Sequence, residues 1–287
     1  MSKVGIIGGS GLYDIEGIKN LREESVKTPF GSSSDNYKVG TLEGTEVVFL
    51  PRHGKGHRVN PSEINYRANI FGMKKLGVDA IISVSACGSL KEDMKPMDFV
   101  VPDQFVDRTH QARPSTFFSG GIVAHVGMAD PVDEQIAKIL VESAKKLGVT
   151  VHSKGTYINM EGPQFSTKAE SNLYRSWGMD IIGMTNFVEA KLAMEAEIAY
   201  ASLAAVTDYD CWHDSHEQVT VEMIIQNLTK NVQNAKAILK LAIPKVGKIK
   251  TFRAQDALKY AIMTDRSLIP SKLKQDLEIL IGKYIKE

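Results

Sequence analysis

The sequence predicts a single α/β domain, and three observations lead to that prediction. The chain has 287 residues, enough for one large core, and 43% of them are hydrophobic against 24% charged. Short β-branched runs alternate with segments of helical spacing. No internal repeat and no linker rich in Pro, Gly or Ser divides the sequence. Strands that alternate with helices are typical of a sheet covered by helices.

Six apolar runs are the candidate strands. They show little alternation between apolar and polar residues, which suits strands that are buried on both faces. These runs are residues 4–7, 46–50, 80–85, 99–101, 180–184 and 199–206.

Three segments between and after these runs have helical spacing. The first opens at Pro61 and closes near Gly77, and the second is stopped by Gly148. The third has the clearest apolar pattern, from Val221 to Leu239, and is expected to end before Pro244. We therefore expect one domain over residues 1–250. Residues 251–287 are expected to form a helical tail that packs on the same domain or on a neighbouring subunit.

Charge and composition exclude several classes of protein. Thirty-five Lys and Arg against 34 Asp and Glu give a net charge of +1, so no basic field is available for nucleic acid or an anionic membrane. No apolar run approaches the roughly 18 residues of a membrane span. Cys87 and Cys211 lie far apart and predict no disulfide framework. The first residues run directly into a strand and a glycine turn, without a signal-peptide pattern. We expect a cytoplasmic protein.

Polar residues and glycines follow nearly every candidate strand. Because ligands bind at the carboxyl ends of strands in parallel-rich sheets, these segments together predict one polar crevice over an apolar sheet. The segments are Gly8-Gly9-Ser10-Gly11, Arg52-His53-Gly54, Ser85-Ala86-Cys87-Gly88-Ser89, Met184-Thr185 and Thr207-Asp208-Tyr209-Asp210.

The residue types divide this crevice into two halves. Exposed backbone N–H groups beside glycines, an arginine fork and several hydroxyls favour an oxyanion the size of phosphate. The residues of this half are Ser10, Arg52, Ser85 and Thr185. Asp208 and Asp210 do not suit an anion, so we expect them to face a part of the ligand that offers hydrogen-bond donors, such as a base.

Each motif also has a simpler interpretation. The glycine segment after the first strand can be a plain tight turn, because it lacks both the dinucleotide spacing and the P-loop lysine. Arg52 and His53 can belong to a surface ion pair. His53 and His57 are four residues apart, but glycines between them disfavour a helix and hence a metal site. Cys87 and Cys211 are expected to be small apolar residues rather than nucleophiles.

Seven motifs carry a family resemblance. They are Gly8-Gly9-Ser10-Gly11-Leu12, Arg52-His53-Gly54, Asn65-Tyr66-Arg67-Ala68-Asn69, Ala86-Cys87-Gly88-Ser89-Leu90, Asp103-Gln104-Phe105-Val106-Asp107-Arg108-Thr109, Glu161-Gly162-Pro163-Gln164-Phe165-Ser166 and Thr207-Asp208-Tyr209-Asp210-Cys211-Trp212. In this order they resemble the trimeric branch of the purine nucleoside phosphorylase superfamily, and within it the 5′-methylthioadenosine phosphorylase family. The similarity runs from about residue 4 to residue 244 and fades beyond about residue 250. It implies a mixed, twisted β-sheet flanked by helices.

The resemblance implies a reaction and its requirements. The expected activity is the reversible phosphorolysis of 5′-methylthioadenosine to adenine and 5-methylthioribose 1-phosphate, a pentosyl transfer in methionine and purine salvage. Inorganic phosphate is the co-substrate, and no metal or organic cofactor is expected. The subunits are expected to form a trimer or a dimer of trimers. Two alternatives remain open: a broader purine nucleoside phosphorylase acting on adenosine or 6-oxopurine nucleosides, and a nucleoside-binding protein without catalysis.

The resemblance also assigns residues to the site. The phosphate-binding positions are Ser10, Arg52, His53, Ser85, Ala86 and Thr185. The nucleoside-binding positions are Met184 at the ribose, Phe165 and Ile182 at the purine face, and Thr207, Asp208 and Asp210 at the purine edge. His125 matches a residue that one subunit lends to the 5′ pocket of its neighbour. Asp208 is the expected catalytic acid, provided that burial and nearby Asp210 raise its pKa.

Three departures from the family pattern accompany these assignments. Phe187-Val188-Glu189 stands where Val-Pro-Glu is usual, so the loop beyond the ribose site is expected to differ. Gln164 stands where arginine is usual, which removes one partner of a local ion pair. Ser10 and Ser85 stand where threonine is common, and both keep the donor hydroxyl.

Overall fold

The structure is a computed structural model that describes most of the chain. It describes residues 1–9, 12, 15–110, 113–213 and 221–285, and of residues 221–226 and 228 it describes the backbone. Ser10, a predicted phosphate-binding residue, lies outside the described residues.

Eleven strands form one sheet in this part of the chain. They are β1 (Val4–Gly8), β2 (Ile18–Glu24), β3 (Tyr37–Leu42), β4 (Thr45–Pro51), β5 (Ala80–Ser89), β6 (Phe99–Val100), β7 (Gln104–Arg108), β8 (Val151–His152), β9 (Thr156–Met160), β10 (Ile181–Gly183) and β11 (Ala199–Asp208). The helices are α1 (Tyr66–Lys75), α2 (Glu134–Lys146), α3 (Lys168–Ser176), α4 (Asn186–Glu195), α5 (Val221–Val246), α6 (Ser271–Asp276) and α7 (Glu278–Ile281), with 3₁₀ turns at Arg253–Asp256 and Arg266–Leu268.

The sheet is organised around β5. The main order is β2-β3-β4-β1-β5-β10-β9-β7, and β11 pairs with β5 and β6 outside that path. Residues 80–83 of β5 lie parallel to β1 and residues 80–88 lie parallel to β11 on the other side, whereas Gly88 and Ser89 pair antiparallel with β10. Parallel and antiparallel pairs therefore coexist, which confirms the expected mixed sheet. Because β5 changes neighbours along its length, its carboxyl end lies between β10 and β11.

Helices cover both faces of the sheet. On one face, buried residues of α2 and α5 pack with β1 and β11, among them Ile136, Leu140, Ile238 and Leu239. On the other face, α1 and α4 contribute Ile70 and Leu192 to a second cluster. Tail residues Leu258, Leu277 and Leu280 are buried in this second cluster, so the tail packs on its own chain. The helix-covered sheet confirms the predicted single α/β fold.

All six predicted strands overlap observed strands, but five further strands went unpredicted. β2 is exposed along almost its whole length and consists mainly of polar residues, so it contains no apolar run that would predict a strand. β9 was missed because polar Thr156 and buried Asn159 interrupt its short apolar run. β3, β7 and β8 also lack a long apolar run. Strand prediction from apolar runs therefore finds the centre of this sheet and misses its margins.

Two predicted helix boundaries were wrong, and α3 and α4 were missed. α1 begins at Tyr66 rather than near Pro61, because the Asn65 side chain accepts a hydrogen bond from the backbone N–H of Ala68 and caps the helix there. α5 continues past Pro244 to Val246. A proline removes its own N–H donor, but burial of Ile243 and Val246 in the core favours continuation of the helix. Within the described residues, no helix has the length and apolar composition to cross a membrane.

Candidate active site

The predicted anion half assembles where β1, β4 and β5 end. β1 pairs in parallel with β4, so that Gly8 lies beside Pro51. The backbone N–H of Arg52 donates to the carbonyl of Gly8 at 3.0 Å, which holds the segment after β4 against the end of β1. Ser85 and Ala86 lie near the carboxyl end of the adjacent β5. The structure therefore brings the described members of this half to one edge of the sheet.

Arg52 is buried, and its side chain is 3% exposed. Its Nε donates to Glu189 Oε1 at 2.7 Å, and its Nη2 donates to Glu189 Oε2 at 3.0 Å. Nη1 donates to the Val84 carbonyl at 2.8 Å, and Nη2 also reaches Ser83 Oγ at 2.6 Å. The interpretation of Arg52 as part of a surface ion pair is therefore wrong. Most of its donors hold protein groups, so what it offers a ligand is its charge and the remaining N–H of Nη1.

Glu189 is a functional residue that the sequence reasoning missed. Besides Arg52, its carboxylate accepts hydrogen bonds from Ser83 Oγ at 2.8 Å and from the Tyr200 hydroxyl at 3.1 Å. Burial alone would lower the pKa of Arg52, yet the adjacent Glu189 carboxylate raises that pKa above its ordinary value, so the guanidinium stays charged. The available signal was a glutamate between apolar Val188 and Ala190, because a buried charge requires a partner.

The two described hydroxyl groups of the anion half differ in whether the protein already gives them a hydrogen-bond partner. Thr185 is the N-cap residue of α4 and is 4% exposed, but its side chain makes no capping hydrogen bond. The N-terminus of a helix favours an anion, because its free N–H groups and dipole are positive there. Ser85 Oγ is buried and makes no hydrogen bond of normal geometry within the described residues. A buried hydroxyl without a partner is unfavourable, so Ser85 suits a ligand with acceptor oxygens, whereas the Thr185 hydroxyl already donates to Asn186 Oδ1 at 3.2 Å.

His53 is a neutral group beside Arg52. Its Nδ1 lies 2.8 Å from the Val59 carbonyl, which only accepts, so Nδ1 carries the proton of the neutral ring. Burial, and then the charge of Arg52, lower the pKa of His53 to about 4. The ring stacks on His57 with centroids 4.1 Å apart. In the described chain, no group of three or more His, Cys, Asp or Glu side chains is arranged to hold a metal ion.

The predicted base half lies at the end of β11. Asp208 and Asp210 are 7% and 9% exposed. The backbone N–H of Asp210 donates to Asp208 Oδ1 at 2.8 Å, and the φ of Asp210 is +51°, which turns the chain back on itself. A Cβ atom on Gly88 of β5 would lie 3.0 Å from both Asp208 Oδ1 and Ile182 Cγ2. The glycine therefore allows the carboxyl of Asp208 and the apolar side chain of Ile182 to lie close together.

Burial raises the pKa of Asp208 to about 6. Hydrogen bonds from Thr207 and from the Asp210 amide oppose this rise, and the charge of Asp210 adds to it. Burial also raises the pKa of Asp210. The prediction of a raised pKa in this pair is confirmed, although burial contributes more than repulsion between the two carboxylates. A carboxyl group with a pKa near neutrality can both hold and release a proton at physiological pH.

Thr207 contacts one oxygen of the Asp208 carboxyl group. Its hydroxyl oxygen lies 2.7 Å from Asp208 Oδ2 and 3.2 Å from the Cys87 carbonyl. A hydroxyl has one hydrogen, and a carbonyl can only accept. When Asp208 is ionised, Thr207 donates its hydrogen to Oδ2; when Asp208 carries a proton on Oδ2, it can donate that proton to Thr207, and Thr207 then donates to Cys87. The local hydrogen bonds are therefore compatible with the protonated acid.

Both cysteines lack the features of a nucleophile. Cys87 is 4% exposed, and burial raises the pKa of its thiol well above the ordinary value. Burial also raises the pKa of Cys211, whose Sγ contacts the Ser166 carbonyl at 3.2 Å. A thiol reacts as the thiolate, so raised pKa values make both groups inert. This agrees with their expected role as small side chains near the site.

Of the predicted ribose and purine-face residues, Ile182 and Met184 lie at the end of β10, which pairs with the end of β5. Met184 follows β10 and packs its sulfur against Gly162, whose φ is +69°. Ile182 lies in β10 and is 4% exposed, whereas Phe165 is 47% exposed. His125 is exposed, and its backbone N–H donates to the Ala261 carbonyl of the tail at 2.9 Å. His125 thus lies beside the tail on the surface of the subunit.

Arg113 is a second residue that the sequence reasoning missed. Its side chain is 1% exposed, and its Nε donates to Glu161 Oε1 at 2.9 Å. Its two Nη atoms donate to the backbone carbonyls of Met184 and Glu161. Arg113 therefore joins the Glu161 loop to the segment that carries Met184. An ion pair is present in this loop although Gln164 stands where the family usually has arginine.

The chain was compared with known proteins. A family model described as "Phosphorylase superfamily" matches residues 3–244. The S-methyl-5′-thioadenosine phosphorylase of Koribacter versatilis is 55% identical over 286 residues, covering 100% of this chain and 98% of its own. That of Geobacter sulfurreducens is 54% identical, covering 98% of this chain and 99% of its own.

Solved structures show the same likeness. A methylthioadenosine phosphorylase from an antarctic soil metagenomic library superposes with a TM-score of 0.93 at 48% identity, covering 97% of this chain and 98% of its own. The methylthioadenosine phosphorylase of Schistosoma mansoni in complex with adenine has a TM-score of 0.80 at 36% identity, with 98% of each chain covered.

Proposed function

The chain belongs to the phosphorylase superfamily, and from that premise we propose that it catalyses the reversible phosphorolysis of 5′-methylthioadenosine. The products are adenine and 5-methylthioribose 1-phosphate, which makes the enzyme a pentosyltransferase. Relatives that carry this activity in their names match the chain over nearly its whole length at about half identity. The proposal places the reaction in the cytoplasm, in methionine and purine salvage.

One geometric observation supports the proposal most directly. Ser85, with its available hydroxyl, lies on the same strand as Gly88, the β5 residue that pairs with Asp208. Three residues of a strand span about 10 Å. The backbone positions that carry the unpartnered hydroxyl and the buried acid are thus about 10 Å apart along the strand, which leaves room for a ribosyl group. A nucleoside bound between them presents its base to Asp208 and its C1′ to an anion held near Ser85.

The anion half binds phosphate in this proposal. Ser85 donates from its hydroxyl, Thr185 donates in place of its bond to Asn186, Ala86 follows Ser85 on β5, and α4 begins beside Thr185; Ser10 is a further predicted contact. Arg52 supplies positive charge, and neutral His53 lies beside it. These contacts orient a phosphate oxygen toward C1′ of the sugar.

The base half supplies the proton. Adenine is a poor leaving group as an anion, so protonation at N7 by Asp208 accompanies cleavage of the C1′–N9 bond. Positive charge develops on the ribosyl ring, and the phosphate dianion stabilises it before forming the new C1′–O bond. Phosphate and base lie on opposite sides of C1′, so the configuration inverts. The reverse reaction returns the N7 proton to Asp208.

Aspartates at the purine edge favour 6-aminopurines. An ionised carboxylate accepts a hydrogen bond from the exocyclic amine of adenine, whereas it repels the O6 atom of a 6-oxopurine. Asp208 and Asp210 both lie at this edge in the proposal, and Thr207 anchors the first of them. The 5′-methylthio group requires an apolar pocket, to which exposed His125 of a neighbouring subunit contributes. The active form is then a trimer or a dimer of trimers, and sedimentation measures it directly.

The reaction needs no metal or organic cofactor, because phosphate is both nucleophile and charge stabiliser. The test incubates the protein with 5′-methylthioadenosine, adenosine and inosine, each with and without phosphate and in the presence of a chelator. We expect adenine release from 5′-methylthioadenosine only with phosphate, slower release from adenosine, and little hypoxanthine from inosine. Base release without phosphate would identify a hydrolase and contradict the proposal, and so would faster cleavage of inosine.

A further inference from the structure

The strand that carries Asp208 is irregular just before it. Pairing between β11 and β5 joins Val206 to Cys87 and then Asp208 to Gly88. Thr207 is therefore an extra residue, a β-bulge, and its peptide is not part of the ladder. Bulges re-aim side chains at the ends of strands, and this one determines the direction of the Asp208 carboxyl.

The bulged peptide is held by a helix that comes later in the chain. Asn227, near the start of α5, donates from Nδ2 to the Thr207 carbonyl at 2.7 Å. Asn231, one helical turn further on, donates to the Val206 carbonyl at 3.0 Å and is 1% exposed. Two amides on one face of α5 therefore bind two consecutive carbonyls of β11, directly before the predicted acid.

The two amides are not equivalent. The Val206 carbonyl also accepts a hydrogen bond from the backbone N–H of Met97 at 2.9 Å. Asn231 therefore adds a second hydrogen bond to a carbonyl that already has a backbone donor. For the Thr207 carbonyl, Asn227 is the hydrogen-bond donor found among the described residues. Loss of Asn227 would leave this carbonyl without that partner and free the peptide to rotate.

Rotation of the Thr207 peptide would move the acid. The Thr207 hydroxyl contacts Asp208 Oδ2 at 2.7 Å, and the peptide that follows Thr207 begins the backbone of Asp208 itself. The opposite oxygen, Oδ1, is bound by the Asp210 amide, which also depends on this backbone. The orientation of the carboxyl is thus coupled to Asn227 through a single peptide group.

We propose that Asn227 is a positioning residue, which aligns the Asp208 carboxyl for proton transfer by holding the bulged peptide of Thr207. It touches no substrate and acts through Thr207. The inference rests on the proposed function for the role of Asp208 as the acid, and it adds a residue outside the family motifs described above.

The test replaces Asn227 by Leu, which has a similar size and no donor, and by Gln, which keeps the amide. Gln233→Leu is the matched control, because Gln233 is exposed on the same helix. We expect Asn227→Leu to lower kcat about 10-fold, the scale of one lost hydrogen bond, with the phosphate KM within twofold of wild type. Gln should restore part of the rate, and the control should leave it unchanged.

Two readouts separate positioning from a general structural role. The Thr207 hydroxyl and the Asp210 amide lower the pKa of Asp208, so their misplacement should raise it and move the alkaline decline of kcat/KM to higher pH. Second, Asn227→Leu should have less than a twofold effect on kcat in an Asp208→Asn background, because the group it aligns is gone. An unchanged pH profile, or an equal loss of rate in both backgrounds, would overturn the inference.

Variants that fail to fold do not end the test. Asn227→Ala, with high helix propensity, is the second variant, and its thermal unfolding is compared with that of Gln233→Ala. If it folds and keeps the wild-type kcat and pH profile, the inference is wrong. The proposed function is judged separately, because wild-type protein either releases adenine in the presence of phosphate or does not.

Discussion

Glu189 and Asp208 are both buried carboxyl groups at the edge of the same sheet, yet their surroundings differ. Glu189 is 2% exposed and accepts four hydrogen bonds, two of them from the guanidinium of Arg52. Asp208 is 7% exposed and has one hydroxyl and one amide as partners. No lysine or arginine pairs with Asp208 among the described residues. The two groups therefore differ in partners far more than in burial.

This difference indicates which carboxyl group is suited to acid catalysis. A buried carboxylate beside a cation is stabilised as an anion and serves as a fixed support, here for the arginine of the anion half. A buried carboxyl group without a cation retains its proton to higher pH, which is what an acid catalyst needs. Burial alone does not distinguish the two roles. The partner does.

The largest expected effect comes from removing the proposed acid, Asp208. Asp208→Asn preserves shape but cannot deliver a proton, so phosphorolysis of 5′-methylthioadenosine should fall by ~10²–10⁴. Cleavage of inosine should fall less or rise, because the amide donates to O6. Steady-state kcat/KM for both nucleosides measures this, with exposed Asp93→Asn as the control. If the preference for adenine over hypoxanthine is unchanged, Asp208 does not read the base and Asp210 becomes the candidate.

The next largest effect comes from breaking the buried ion pair between Arg52 and Glu189. Arg52→Met leaves Glu189 buried without its cation, which should lower the free energy of unfolding by about 3–5 kcal/mol. The phosphate KM should rise steeply, while nucleoside binding changes less. Urea denaturation and phosphate titrations measure the two effects, and Arg253→Met, which breaks an exposed pair with Asp130, is the control.

The double variant Arg52→Met with Glu189→Gln sharpens this result. Removing both charges should recover most of the lost stability, because no unpaired charge remains buried. The phosphate KM should stay high, because the cation is absent in both variants. Recovery of phosphate affinity in the double variant would show that Arg52 serves only to neutralise Glu189.

The smallest effect concerns the pH dependence of stability. Folding raises the pKa of Asp208 from 3.8 to about 6, so the folded protein binds this proton more tightly than the unfolded chain. This contribution to stability is present below pH 4 and is lost as the pH rises to about 6, with a total of about 3 kcal/mol. Asp208→Asn lacks the titration, so its stability relative to wild type should increase over that window and then stay level. A difference that does not vary with pH would contradict the raised pKa.

Much of this site was predictable from local patterns. Polar groups directly after apolar runs placed Arg52, Ser85, Thr185 and Asp208 at one edge of a sheet, and the structure brings them to that edge. The pKa of Asp208 was expected to rise because a carboxyl group that ends a buried strand is itself buried. These predictions depend on neighbours in sequence and on the direction of parallel strands.

The missed residues depend on contacts across the chain. Arg52 and Glu189 are 137 positions apart, and Arg113 and Glu161 are 48 positions apart. Asn227 lies on a helix whose apolar pattern was recognised. Its hydrogen bond to the Thr207 carbonyl depends on a β-bulge, and no residue type in the sequence predicts that bulge. The exposed strand β2 was missed because its polar residues give no periodic signal.

The sequence by itself determined the α/β class, the central strands and the residue types that line the crevice, because apolar periodicity and strand-end chemistry are properties of adjacent residues. The tertiary structure alone decided which buried charge meets which partner. The free-energy cost of burying a charge depends on the groups within a few ångströms of it. Folding brings those groups together from distant parts of the chain, so neighbouring residues in the sequence do not reveal them. In the fold Glu189 lies against a cation, whereas Asp208 lies against a hydroxyl and an amide.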